Sequence, residues 1–269
     1  MDLILKAILM GIVEGITEFL PVSSTGHLIM FGHLINFTGR FAVMFEIIIQ
    51  LGAILAVVFF YREKIWNSLK NLKPGKWGFK LWFRMFIAFL PSAVIGIALN
   101  DYVEEYLFSP FTVSIALIIG AVLMLAVEKG TAAPKIHDIE KVNVKQSLMI
   151  GFAQCMSLFP GMSRSASTII GGLLTGLSVK AAAEFSFFLA IPTMFAATGY
   201  SLAKGVAEMG STEWAALAVG FVVSFIVAFL VVGKFLSFLA KHSLKVFAYY
   251  RLIVGFIMLF VIMTGIVTD

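Results

Sequence analysis

The chain has 269 residues, 60% of them hydrophobic and 13% charged, with a formal net charge of +5. A soluble domain carries about 25% charged and about 45–50% apolar residues, and a soluble fold of this length could not hide so much apolar surface. The composition specifies an integral membrane protein and excludes disorder, a disulfide scaffold and a cytosolic enzyme.

In chain order, the first apolar stretch is 3–35. It lacks the small-residue cleavage pattern of a signal peptide and is expected to stay in the mature protein. Leu20-Pro21-Val22-Ser23-Ser24-Thr25-Gly26-His27 breaks it near its middle. Spans of roughly 20 mostly apolar residues follow at 41–61, 82–99 and 107–127. A second broken stretch, 148–177, carries Phe159-Pro160-Gly161-Met162-Ser163-Arg164-Ser165-Ala166-Ser167. Spans at 185–203, 214–233 and 246–267 complete the chain. The expected fold is therefore all-α, with six transmembrane helices and two re-entrant helix hairpins.

Loop charges orient it. Residues 62–84 hold seven Lys or Arg against one acid, 128–147 hold four Lys, and 234–245 hold three. The stretch 100–106 carries Asp101, Glu104 and Glu105 with no basic residue. Excess Lys and Arg marks cytoplasmic loops and anionic headgroups rather than nucleic acid. The first three loops are thus expected inside and the acidic one outside. Residues 1–128 and 144–269 then form two repeats of one plan, a broken hairpin and three spans, in opposite orientation. An offset of 140 pairs Gly11 with Gly151, Glu14 with Gln154, Phe19 with Phe159 and Ser23 with Ser163; an offset of 138 pairs Glu46 with Glu184. An inverted-topology repeat of this kind brings its broken helices together near the midplane.

Charged side chains in a bilayer core cost about 2.5–3.5 kcal/mol each on insertion scales, so those at the breaks need a reason. Glu14 and Glu18 are four apart and share a helix face, where they want a cation, a shared proton or a basic partner. Pro21 ends the first helix, and Ser23, Ser24 and Thr25 stand at the head of the next, beside Gly26. A helix N-terminus offers free N–H groups to an anion. His27 follows Ser24 by three residues, so a nucleophile and a base fall on one face. The second break adds Arg164, which grips phosphate bidentately, among the hydroxyls of Ser163, Ser165 and Thr168. Gly161 permits close backbone approach. If the breaks meet, the ligand is an anion, a phosphate accompanied by a divalent metal. Glu46, Gln50, Glu184 and Arg251 are expected to lock helices together. Cys155 is expected as a small buried residue, and no Cys/His spacing suits a metal.

Gly11-x-x-Glu14-Gly15-x-Thr17-Glu18-Phe19-Leu20-Pro21-Val22-Ser23-Ser24-Thr25-Gly26-His27 and Pro160-Gly161-Met162-Ser163-Arg164-Ser165 resemble the two signatures of the bacterial undecaprenyl-diphosphate phosphatase family, the bacitracin-resistance type. Gln154-Cys155, Glu184-Phe185-Ser186-Phe187 and Tyr250-Arg251 extend the resemblance over the whole chain. It implies hydrolysis of the C55 diphosphate to the monophosphate, which recycles the lipid carrier for cell-wall synthesis and counters bacitracin. It also implies a divalent cation, Mg²⁺ or Ca²⁺, held by Glu14 and Glu18. The expected catalytic set is Glu14, Glu18, Ser24, His27 and Arg164, with Ser23, Thr25, Gly26, Gly161, Ser163, Ser165 and Thr168 binding substrate. The implied location is the bacterial cytoplasmic membrane, with the site opening to the outer face and self-association left open. Three matters stay open at this level: whether Ser24 or His27 attacks, whether His27 or Glu18 takes the proton from Ser24, and whether the inverted plan serves transport of the lipid instead of hydrolysis.

Overall fold

The computed structural model describes residues 1–107, 109–130, 133–205 and 209–264. Eleven α-helices lie within them: α1 (Leu3–Thr17), α2 (Ser24–Leu34), α3 (Arg40–Phe60), α4 (Arg62–Lys70), α5 (Trp77–Tyr106), α6 (Pro110–Gly130), α7 (Val144–Gln154), α8 (Arg164–Leu174), α9 (Val179–Gly205), α10 (Ser211–Leu239) and α11 (Lys245–Met263). Short 3₁₀ turns occupy Ile139–Lys141 and Cys155–Leu158. Cys155, expected to be buried, is only half-buried there. A single bridge, Ile136 to Leu177, is the extended pairing seen among the described residues.

Among the described residues, six helices are long and apolar enough to cross a membrane: Arg40–Phe60, Trp77–Leu99, Pro110–Gly130, Val179–Tyr200, Ser211–Leu239 and Lys245–Met263. They match the six expected spans, but the helices outrun the apolar runs that announced them. The acidic stretch 100–106, expected as a loop, forms the last turns of α5, and the side chains of Asp101 and Glu104 lie outside the described residues. Lys234, assigned to a loop, sits inside α10. The helical hydrogen-bond ladder continues into the interface wherever no Pro or Gly stops it, whereas hydropathy ends where charge begins. The span expected from 107 starts at Pro110, whose missing N–H suits the first helical position. Residues 265–267 of the last expected span lie outside the described residues.

Both apolar stretches are broken where expected. In the first, α1 stops at Thr17 and α2 starts at Ser24; in the second, α7 and its 3₁₀ turn end at Leu158 and α8 starts at Arg164. The two restarts share one device. Ser23 (φ 73°) and Ser163 (φ 71°) are both left-handed, and each side chain accepts the backbone N–H three residues on, from Gly26 and Ala166, at 3.2 Å. Non-glycine residues in this region cost of order 1–3 kcal/mol and persist only where the surroundings enforce them.

Packing crosses between the chain's halves. α1 lies along α10, α7 along α5, α3 along α9, and α6 along α11. Phe19 is fully buried in the first break and meets Phe187 of α9 edge-on at 5.0 Å. That contact seats the residue after Glu18 in the main apolar core.

Candidate active site

The two breaks meet. Ser165 at the head of α8 donates its hydroxyl to Leu20 O of the first break at 2.9 Å. Glu18 caps the C-terminus of α1, its N–H on Glu14 O, so its carboxylate faces the start of α2. There Ser24 donates to Glu18 Oε2 at 2.6 Å, a short charge-assisted bond. Arg164 donates through Nη2 to Glu18 Oε1 at 3.2 Å. The carboxylate thus bridges a hydroxyl on one break and a guanidinium on the other, with all three residues buried.

Arg164 is held from behind. Nη1 donates to Ser186 O at 2.9 Å, and Thr168, one turn along α8, bonds Ser186 Oγ at 2.7 Å. Its Nε, also buried, has no acceptor. Sequence reasoning gave Ser186 no role of its own; its only signal was its place in the Glu184–Phe187 segment.

A small cavity of about 180 Å³ lies at this junction, lined by Glu18, Ser23, Ser24, Thr25, Gly161, Ser163 and Arg164 among others. Ser165 and Thr168 stay outside its lining and act on the backbone and on Ser186. Gly26 is likewise absent from it, its N–H spent on the Ser23 cap. A second cavity of about 980 Å³ shares the wall residues Gln50, Ser157, Thr193 and Ala197. Its other walls come mainly from α3, α5 and α9 and are largely apolar, and Ser92 and Thr193 follow Pro91 and Pro192 in them. Gln50, expected to lock helices, therefore faces the junction of the cavities.

His27 is placed differently from the expected pairing with Ser24. Its Nδ1 contacts Ser23 O at 2.7 Å and its Nε2 contacts Tyr250 Oη at 2.7 Å, with the two rings parallel and 5.6 Å apart. Both ring nitrogens are engaged, and the acceptor beside the Ser24 hydroxyl is the Glu18 carboxylate. Tyr250 came into view only through the family resemblance.

Glu14 is completely buried, and neither carboxylate oxygen receives an N–H or a hydroxyl; the Glu18 carboxyl is within hydrogen-bond reach when one of the pair holds a proton. Glu18 and Glu46 are its acidic neighbours and Arg164 the cation that acts on it. An isolated buried carboxylate is costly, so this position calls for a proton or a cation. Among the described residues no three His, Cys, Asp or Glu side chains form a metal-holding group. Two carboxylates are nonetheless the usual protein share for Mg²⁺, whose remaining ligands come from substrate phosphates and water. The donor set, hard oxygens with two of them unspent, fits such an ion.

Comparison with known proteins gives a consistent picture. The family model described as bacitracin resistance protein BacA matches residues 7–257. A protein named undecaprenyl-diphosphatase from Thermoanaerobacter pseudethanolicus is 66% identical over 268 residues, covering 99% of this chain and 100% of the relative. One of the same name from Clostridium tetani is 49% identical over 270 residues, covering both chains completely. Another from Acinetobacter baumannii is 47% identical over 257 residues, covering 95% of this chain and 94% of its own. Both breaks, and every residue of the Ser24–Glu18–Arg164 bridge, fall inside the matched region, and the chain belongs to the bacitracin resistance protein BacA family.

Proposed function

We propose that this protein is a membrane phosphatase that hydrolyses undecaprenyl diphosphate to undecaprenyl phosphate and inorganic phosphate. The reaction returns the lipid carrier to cell-wall synthesis and, by depleting the diphosphate that bacitracin sequesters, confers resistance. The observation that carries this reading is the Ser24–Glu18–Arg164 bridge at the head of α2. A hydroxyl bonded to a carboxylate, beside a guanidinium and a helix N-terminus, is what phosphoryl transfer to a serine needs. The names of the relatives support the substrate.

Ser24 Oγ attacks the terminal phosphorus as Glu18 takes its proton. The new bond is Ser24 Oγ–P; the bond from that phosphorus to the bridging oxygen breaks, and the lipid phosphate leaves with the proton from Glu18. Water then attacks the phosphoserine, giving a proton to Glu18 that returns to Ser24 Oγ as phosphate departs. Arg164, with an unspent Nε–H, and the first N–H groups of α2 stabilise the charge on the phosphoryl oxygens. Glu14 and Glu18 would hold a divalent cation, which when bound supplies positive charge against the diphosphate. The apolar cavity suits the prenyl tail.

The same reading treats α1–α2 and α7–α8 as re-entrant hairpins of an inverted repeat. Support comes from the matching left-handed serine caps and from cross-packing of α1 on α10 and α7 on α5. The site then opens to the outer face of the cytoplasmic membrane, opposite the basic loops.

Purified protein in detergent tests this directly, because phosphate release needs no second compartment. Wild type is expected to release phosphate from a prenyl diphosphate, to stop in chelator, and to lose at least ~100-fold on Ser24→Ala or Glu18→Gln. Full turnover by Ser24→Ala would discard the scheme.

A further inference from the structure

Among the described residues, Arg251 of α11 is the largest fully buried side chain, and it forms no ion pair there. All five of its N–H groups are nevertheless used, each on a backbone carbonyl. Nε donates to Leu117 O at 3.2 Å. Nη1 donates to Pro21 O at 3.3 Å and Met162 O at 3.0 Å, and Nη2 to Ala116 O at 3.3 Å and Gly161 O at 3.0 Å. Two acceptors are on α6. The other three belong to the breaks, one to the first and two to the second.

Those three carbonyls need a partner. Where the chain leaves a helix inside a membrane, the ladder no longer satisfies its backbone groups and water is absent. One planar five-donor group can serve several carbonyls in fixed relative positions, which an ammonium with three tetrahedral donors cannot. The surroundings are shaped for it. A Cβ at Gly120 of α6 would collide with Arg251 Nη2. Gly161 has φ +95°, and a Cβ there would lie 2.5 Å from Val113 O, so the second break is pressed against α6 beside the guanidinium.

We propose that Arg251 is a positioning residue. By holding Pro21 O of one break and Gly161 O and Met162 O of the other, its guanidinium sets the spacing between Ser24 and Arg164. It touches neither substrate nor the reacting atoms. Ser24 is three residues beyond Pro21, and Arg164 is two beyond Met162, so the clamp acts at the root of each functional side chain. The inference rests on the phosphatase reading for its kinetic consequence, but not for its structural one.

The test uses full-length wild type, Arg251→Lys, Gly120→Ala and the double variant in detergent. Two readouts are taken: steady-state phosphate release from a prenyl diphosphate, and the rate at which a maleimide labels Cys155, the only cysteine in the chain, in the turn leading to the second break. Arg251→Lys keeps a positive charge and is expected to lower kcat on the order of 100-fold, the effect of an ångström-scale misplacement, with KM nearly unchanged. Cys155 labelling should accelerate several-fold. Gly120→Ala displaces the guanidinium without removing it and should produce the same signature. Added to Arg251→Lys it should do little more, because the group it displaces is gone.

A general packing role would instead reduce the folded fraction and leave kcat per folded enzyme intact, with the two substitutions adding. That result, or unchanged kcat and labelling in Arg251→Lys, overturns the proposal. If wild type releases no phosphate, the phosphatase reading falls alone, and Cys155 labelling still decides whether the clamp exists.

Discussion

At the site, Glu18 serves two partners whose losses have different costs. Removing Arg164 leaves a buried carboxylate without its counter-charge, a change worth roughly 3–5 kcal/mol in comparable pairs. Removing the Ser24 hydroxyl leaves the ion pair in place. Arg164→Ala is therefore expected to lose both activity and several degrees of thermal stability, and Ser24→Ala to lose activity at nearly wild-type stability; thermal unfolding in detergent separates the two. The residue types of this site were legible from the sequence, because carboxylates and a guanidinium are too costly at breaks in apolar helices to stand there without a ligand or a counter-charge. The pairing was less legible. Three-residue spacing from Ser24 to His27 suggested a shared face, yet the left-handed Ser23 turns its carbonyl to meet His27 Nδ1 and leaves Nε2 to Tyr250, 223 residues away. Nothing local to that segment announces a partner so remote.

Glycine lets helices come close at several crossings, and the two halves of the chain use it alike. A Cβ on Gly15 of α1 would lie 2.7 Å from Val227 Cβ and 2.8 Å from Ser224 O of α10. A Cβ on Gly151 of α7 would strike Ala88 O of α5. Gly15→Leu and Gly151→Leu are each expected to destabilise by about 1–3 kcal/mol or more through overpacking. Gly199 of α9 has nothing within 4 Å of such an atom, and Gly199→Ala should gain about 0.5–1 kcal/mol from helix propensity. Melting temperatures of the three variants check the contrast. Element existence was readable from apolar runs of spanning length, and the breaks from Pro, Gly and Ser clusters. Element ends were not, since α5 and α10 run on through charged residues that a hydropathy argument assigns to loops. The pairing of α1 with α10 and of α7 with α5 depends on the whole assembly and leaves only the Gly11/Gly151 coincidence in the sequence as a trace. Even that correspondence is partial: Phe19 is fully buried while Phe159 is 54% exposed.

For the molecule as a whole, Glu18, Ser24 and Arg164 line a small chamber, and a much larger, mostly apolar one adjoins it. The wall between them is made of Gln50, Ser157, Thr193 and Ala197. A tail of eleven prenyl units far exceeds the polar chamber and must lie in or beyond the apolar one. Ala197→Phe narrows the shared wall while leaving Glu18, Ser24 and Arg164 themselves unsubstituted. It should lower kcat/KM for undecaprenyl diphosphate by at least ~10-fold, chiefly through KM, and affect a short-chain prenyl diphosphate much less. Comparing the two substrates on one variant separates passage of the tail from chemistry.

The shared wall also bears on how such an enzyme could be blocked. On the proposed reading, a compound that fills the apolar chamber would bar the lipid while carrying no phosphate mimic and meeting neither Glu18 nor Arg164. Its affinity would come from buried hydrocarbon, and its inhibition would be competitive toward the lipid. Escape substitutions would then gather on α3, α5 and α9 and leave the two breaks unchanged.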